Sequence, residues 1–427
     1  MKIKNFQQLA VSNLRRTALE IVEAGLEAID TAKVIQKNVR LEGEKLVVKE
    51  EHLSLKNIQR LLVVGVGKCS LEAAQALEKI LQKRITDGIV LDVKPGTLEH
   101  LQVYAGDHPF PTQRNIEVTK KIIDLLSGLT EHDLVIFIIS GGGSTLLCQP
   151  PDLTSEDETN ILGYLFKAGA DIKKINAVRK HLSLARGGYL AQYAYPAKVI
   201  SLIFSDVPGN NLEFVASGPT IKDKTTIKDA EKVIAEYNIK EHCQLPGVAL
   251  VETPKDNKYF KKVKNIVIIS NEVALKAMQQ KAQELGFGAQ IRTTNLSGEA
   301  REVGPAIAEE LKKAAPKTAL LYGGETTVTV TKAGKGGRNI ELGLSALRFI
   351  ENGQILIPVA SDGRDNTDIA GAVCDMITKE KAQKRGFDLG EYLEENQSYK
   401  FFTQLEEHLN TGDTGSNVSD LIVVLKE

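Results

Sequence analysis

Residues 134–147 read Leu-Val-Ile-Phe-Ile-Ile-Ser-Gly-Gly-Gly-Ser-Thr-Leu-Leu. The run from Leu134 to Ile139 is apolar, rich in β-branched residues and too short for a helix, so it predicts a strand buried on both faces. It stops at Ser140, and Gly141, Gly142 and Gly143 then present successive backbone N–H groups before Ser144. Such nests of donors bind phosphate without needing net positive charge. The plainer alternative for the loop alone is a tight turn with no ligand.

Working outward, the same kind of run recurs at Leu61–Val64, Ile89–Val93, Val199–Phe204, Ile266–Ile269, Thr318–Leu321 and Ile355–Val359. Stretches of helical period separate these runs, the pattern of parallel strands joined by crossover helices, and a doubly wound α/β sheet is expected. At 427 residues the chain is long enough for two or three domains. Residues 226–264 hold a Lys/Glu-rich helical stretch and then a segment containing Pro246 and Pro254, read as a connection. The expected domains are therefore 1–240, carrying glycine-rich phosphate loops, and 255–427.

Glycines gather where strands should end: Gly65 and Gly67, Gly141 to Gly143, Gly187 and Gly188, Gly323 and Gly324, and Gly334, Gly336 and Gly337. Ligands of open α/β sheets sit beyond the carboxyl ends of the strands, so these loops are expected around a ligand. The first, Gly65-Val66-Gly67-Lys68-Cys69-Ser70, fails two familiar motifs. A Walker A loop needs glycine where Leu62 stands, and a dinucleotide-binding turn needs a third glycine where Ser70 stands, although Asp92 could imitate its ribose-binding acid. What remains is Lys68, a cation at a strand-to-helix turn where the helix N-terminus already favours an anion. A solvated surface lysine is the bland alternative.

Asp206 (Phe-Ser-Asp-Val-Pro-Gly, 204–209) and Asp362 (Ser-Asp-Gly-Arg-Asp, 361–365) each follow an apolar run. Carboxylates so placed can ligate Mg²⁺ through one or two oxygens, though either alone is more often a helix cap or an Asx turn. Arg338 follows Gly336 and Gly337 and should open a helix near Asn339. Its planar guanidinium can clamp a carboxylate or phosphate in a way that Lys335 cannot. Asn176, Arg179, Lys180 and His181 form a further polar cluster on a helical stretch.

Composition narrows the class. Fifty-four Lys and Arg offset fifty-five Asp and Glu, so no global field favours nucleic acid or an anionic membrane. Cys69, Cys148, Cys243 and Cys374 stand far apart, which fits neither a structural zinc site nor a secreted disulfide framework, and a reduced cytoplasm is expected. No run reaches the ~20 apolar residues of a membrane span, and the first residues lack the apolar core of an export signal.

Ten motifs in order, GVGKCS, DHPFPT, ISGGGSTLL, INAVRKHLS, ARGGYLA, FSDVPGNNLEFVASGPT, GGETTVTV, GKGGRNIEL, SDGRDNTDIAGA and TGDTGSNVSDL, run from Gly65 to Leu421. Together they resemble the glycerate 2-kinase family, whose C-terminal part is the MOFRL domain. The resemblance implies a Rossmann-like α/β domain, a second MOFRL-type α/β domain and an active site in the cleft between them. It implies a kinase that uses ATP and Mg²⁺ to convert D-glycerate to 2-phosphoglycerate. It points to Lys68 and Arg338 as catalytic and to Asp206 as general base or metal ligand. Gly141, Gly142, Gly143 and Ser144 would hold nucleotide phosphate, Glu325 and Asn339 would be cofactor contacts, and Asp362 a second metal ligand. The sequence departs from the family at Ile340, where Gln is common, and in a shortened loop at 365–368. The rival expectations are a nicotinamide-dependent hydroxypyruvate reductase and a non-catalytic sugar-acid sensor.

Overall fold

A computed structural model describes residues 1–207, 209, 211–245 and 247–427. Pro208 and Asn210 of the loop after Phe204, and Pro246 of the expected connection, lie outside the described residues. The chain packs as two units: Thr31–Ser205 with Asn211–Ile268, and Met1–Asp30 with Asp206–Asn210 and Ile269–Glu427. This division departs from a cut at 240–255. The amphipathic helix Asn13–Ala28 buries Leu19, Ile21, Val22 and Leu26, and it packs in the C-terminal unit. There Gly25 lets Met278 of the helix Asn271–Glu284 come so close that a Cβ would stand 2.7 Å from its Cγ. Buried Arg15 completes the attachment, with Nε and Nη2 each 2.7 Å from Asp375 and Nη1 2.7 Å from Glu407.

The 31–268 unit begins with a three-stranded antiparallel sheet, β1 (Val39–Glu42), β2 (Lys45–Val48) and β3 (Glu51–Ser54). Six further strands follow: β4 (Arg60–Val66), β5 (Asp87–Asp92), β6 (Gln102–Ala105), β7 (Asp133–Ser140), β8 (Lys198–Phe204) and β9 (Val263–Ile269). They form one sheet in the order β6-β5-β4-β7-β8-β9, parallel from β6 through β8. Every residue of β7 is buried, as its unbroken apolar run requires. The edge strand β6 has no fully buried residue, and no apolar run marked it in the sequence.

The chain runs outward from β4 in both directions, so the order reverses between β4 and β7. Their carboxyl ends are level, with Val66 opposite Ile139. The glycine loops after the two strands therefore emerge side by side at the place where open α/β sheets bind ligands.

The C-terminal unit holds β10 (Gly288–Leu296), β11 (Thr318–Gly324), β12 (Gln354–Ala360), β13 (Gly371–Ala372), β14 (Cys374–Asp375), β15 (His408–Leu409) and β16 (Asp420–Lys426). Their order is β10-β11-β16-β12-β13-β15, with β14 pairing β12. Thr318–Leu321 and Ile355–Val359 are strands as expected, but they are not parallel neighbours. β16 lies between them, antiparallel to both, and only β10 and β11 pair in parallel. The physical reason is in the last run, Leu421-Ile-Val-Val-Leu425, which is wholly buried and takes a neighbour on each side. Helices Ala300–Lys313 and Arg338–Leu347 pack on this sheet, and every residue from Asn339 to Leu347 is buried.

Candidate active site

At the switch point, Gly67 has φ +121, and a Cβ there would fall 2.1 Å from Ser140 Oγ. Only glycine lets the two loops approach this closely. The Lys68 N–H donates to the Gly141 carbonyl at 2.9 Å, and the exposed Lys68 side chain lies over Gly142. Gly142 itself is left-handed, with φ +80, where it opens the short turn Gly143–Leu146. Cation and N–H groups thus share one loop surface. Nearby, burial and then the Lys68 ammonium push the His108 imidazole down to about 4.

Asp92 has a different occupation from ribose binding. It accepts from Leu71 N at 2.9 Å and Ser70 Oγ at 3.3 Å, and so caps the helix Ser70–Leu81 that follows Lys68.

Behind the glycine loop runs a chain of polar contacts through Ser217, a residue that the sequence did not single out. Ser144 Oγ is 2.9 Å from Ser217 Oγ, which donates to Asn176 Oδ1 at 3.2 Å. Ala216, Ser217 and Gly218 are all left-handed, with φ 50, 59 and 60. Two non-glycine residues held there cost about 1–3 kcal/mol each and persist only where the surroundings impose them. Here the surroundings are the glycine loop, since a Cβ on Gly143 would stand 2.6 Å from that of Ala216.

The second constellation lies in the C-terminal unit. Arg338 Nε and Nη2 donate to the two oxygens of Asp420 at 2.6 and 3.1 Å, and Nη1 is 2.7 Å from Glu325. Burial works against the Arg338 charge, but Asp420, Glu325 and Asp365 more than offset it, so the guanidinium is held above its usual range. Burial pushes Asp420 up to about 7, with Arg338 pulling it back and Asp365 adding to the push. Glu325 is exposed, and with Arg338 and the glycines 334, 336 and 337 it lines a cavity of about 350 Å³.

The N-terminus of the helix Arg338–Leu347 is already occupied by protein. Buried Asp365 accepts from Asn339 N at 3.1 Å, Asn339 Nδ2 at 3.2 Å and Ile340 N at 2.8 Å. Burial raises this carboxyl while those donors lower it. Asn339 is itself buried, and its side chain faces Asp365, so the structure gives it the task of fixing the helix start. Ile340 is fully buried in the apolar core of the unit, which suits the residue present.

Asp206 belongs to the C-terminal unit although it follows β8, and its carbonyl accepts from Ser419 Oγ at 2.6 Å, one residue before Asp420. Asp362 closes an Asx turn, its Oδ1 accepting from Arg364 N at 2.9 Å. No group of three or more His, Cys, Asp or Glu side chains able to hold a metal gathers among the described residues. Lys68, Gly141, Gly142, Gly143 and Ser144 are thus brought together in one unit, and Arg338 and Glu325 in the other. Asp420, Asp365 and Ser217 went unsingled because their partners are far away in sequence.

Comparison with known proteins gives matches over most of the chain. Residues 17–249 match the family described as "Domain of unknown function (DUF4147)", and residues 318–420 match the MOFRL family. A D-glycerate 2-kinase of Thermotoga maritima is 37% identical, over 97% of this chain and 98% of its own. A putative hydroxypyruvate reductase of Agrobacterium vitis is 35% identical, over 86% of this chain and 87% of its own. The crystal structure of a glycerate kinase from Thermotoga maritima superposes with TM-score 0.85 at 35% identity, covering 96% of this chain and 99% of that one. Among the described residues, no helix is long and apolar enough to cross a membrane.

Proposed function

Because this chain belongs to the glycerate 2-kinase family, we propose that it transfers the γ-phosphoryl group of ATP to the 2-hydroxyl of D-glycerate, giving 2-phosphoglycerate and ADP. The observation that carries the reading is Lys68 lying over a left-handed glycine loop at the sheet's switch point. Phosphoryl transfer asks for positioning and for neutralisation of charge spread over the transferring oxygens. The N–H groups of Gly141 to Ser144 receive the nucleotide phosphates, and the Lys68 ammonium offsets the charge that moves.

Arg338 serves the same reaction from the C-terminal unit. Asp420 holds its Nε edge at 2.6 Å and so fixes the plane of the guanidinium, while Nη1 faces exposed Glu325 and the cavity. A substrate carboxylate or phosphoryl oxygen taking the place of Glu325 would meet an already oriented donor. Asp206 is the candidate base for the 2-hydroxyl proton. Nucleotide kinases hold Mg²⁺ through phosphates and water with one or two carboxylates, so the sparse acidic set here fits that ion. Asp206 and the free oxygen of Asp362 would be its protein ligands, and the bound ion would screen the phosphate charge. The reduced state expected of a cytoplasmic protein agrees with four free cysteines.

The name of the Agrobacterium vitis relative favours a reductase reading. Against it, Ser70 stands where a dinucleotide turn needs glycine, and Asp92 is spent on the adjoining helix N-terminus. The deciding experiment is a coupled ADP-release assay with D-glycerate, L-glycerate and hydroxypyruvate, followed by identification of the product. Release of ADP with D-glycerate and formation of the 2-phosphate is expected. NADH oxidation with hydroxypyruvate and no ADP release would overturn the proposal.

A further inference from the structure

The helix Ile172–His181 ends in Arg179, Lys180 and His181. Two of these are absorbed by the fold. Lys180 Nζ is 2.9 Å from Asp223, and His181 Nδ1 is 2.8 Å from the Val251 carbonyl. The neighbouring buried Arg186 has its own carboxylate, Glu158, at 2.6 Å. Arg179 is different: its guanidinium makes no hydrogen bond or ion pair with any described residue. It is partly buried, and burial first and then the Arg186 charge pull it down to about 10, with the Glu158 carboxylate offsetting part of that. Glu158 is held by Arg186, so a guanidinium with no hydrogen bond of its own gains from an anion brought to it.

Arg179 lines a cavity of about 400 Å³. One side of that cavity is Ser144 and Thr145, the end of the glycine loop. The remaining wall is mostly apolar, with Leu162 and Phe166 from the helix Ser155–Lys167, Ile175, and Phe110, interrupted by Thr159 and by the Glu158 carboxylate that Arg186 holds. Phe110 and Phe166 are 63% and 78% exposed, so their rings stand at the rim with no protein covering them. The end of the glycine loop, a guanidinium free of hydrogen bonds and a mostly apolar wall with aromatic faces therefore share one cavity. That combination suits a ligand anionic at one end and flat and apolar at the other.

We infer that this cavity receives the nucleotide, with Arg179 binding a phosphate oxygen beside Ser144 and the purine ring lying against Phe110 and Phe166. The inference rests on the ATP-dependent reading above, and it adds a binding cation and a base site to the glycine loop. Arg179 completes the phosphate contacts that the loop N–H groups begin, and Leu162 and Ile175 exclude water from the ring.

Two variants of the full chain separate the two ends of the ligand. In Arg179→Met the apolar stem remains and the charge is lost. In Gly163→Trp the indole fills the cavity from a helix position where an added Cβ meets nothing within 4 Å. Calorimetric titration uses ADP, inorganic tripolyphosphate and adenosine, with circular dichroism to check folding. Arg179→Met should weaken ADP and tripolyphosphate at least tenfold and leave adenosine within threefold. Gly163→Trp should weaken ADP and adenosine at least tenfold and leave tripolyphosphate within threefold. Unchanged ADP affinity in either folded variant overturns the inference. So does an Arg179→Met enzyme with normal ADP affinity and a raised KM for D-glycerate, which would assign the cation to the acid's carboxylate. Should Arg179→Met not fold, Gly163→Trp decides alone. Wild-type protein that binds no ADP would instead refute the ATP-dependent reading itself.

Discussion

Lys68 rests on Gly142: a Cβ added to that glycine would stand 2.9 Å from Lys68 Cγ and 3.1 Å from Cε. The lysine and the glycine loop are thus one unit, although 74 residues separate them in the chain. A side chain at 142 must displace the lysine, and it must also adopt a φ of +80, which β-branched residues strongly resist.

Gly142→Val is therefore expected to lower ATP affinity at least tenfold and to lose about 1–3 kcal/mol of stability from the left-handed backbone. Calorimetric titration of the folded variant checks it. Unaltered affinity would mean that the loop cradles no nucleotide phosphate.

Lys68→Met keeps the stem and removes the charge. Because the side chain is exposed, the fold should be retained while kcat drops by about two orders of magnitude or more, the scale of a lost transition-state charge contact. Turnover within threefold of wild type would leave Lys68 a surface lysine.

The same variant has a spectroscopic consequence at His108, whose imidazole is pushed down to about 4 by burial and by the Lys68 ammonium. In Lys68→Met its titration, followed by NMR, should move up towards the ordinary value near 6.5 without reaching it, since the burial remains. The unfolded chain takes up this proton below about pH 6.5 and the folded chain only near pH 4. Stability therefore falls as pH drops through that window, and it should fall less in the variant. A His108 titration unmoved by the substitution would separate the two residues.

Arg338→Lys replaces a planar fork held by two carboxylates with a point charge, leaving the second oxygen of buried Asp420 without its donor. We expect kcat/KM to fall by roughly tenfold to a thousandfold. Activity within threefold of wild type would show that the clamp serves packing alone.

Asp365→Ala removes the acceptor for two backbone N–H groups and the Asn339 side chain in a buried helix start. The expected loss is about 1–3 kcal/mol, read as a lower unfolding midpoint. An unchanged midpoint would mean that water satisfies those donors as well as the carboxylate does.

The runs at 61–64, 134–139 and 199–204 are strands because a short β-branched apolar stretch has no other way to bury both faces, and that property is local. The glycine clusters were equally legible, since a residue without Cβ marks close approach wherever it falls. What no window along the chain could supply was pairing. β16 enters between β11 and β12 from the far end of the sequence, which makes the second sheet mainly antiparallel. The first thirty residues fold with the last domain because one amphipathic helix found its apolar partner there. Arg338 looked like an open cation, and tertiary structure gave it Asp420 and Glu325. Asn339 looked like a ligand contact, and Asp365 took its donors. The sequence by itself determined which of the central buried runs become strands, where glycine lets two loops approach closely, and which family the chain resembles. Tertiary structure alone decided which charges are spent inside the protein and which remain for a substrate, because a charge is settled by neighbours within about 4 Å, and at these positions they come from 13 to 82 residues away.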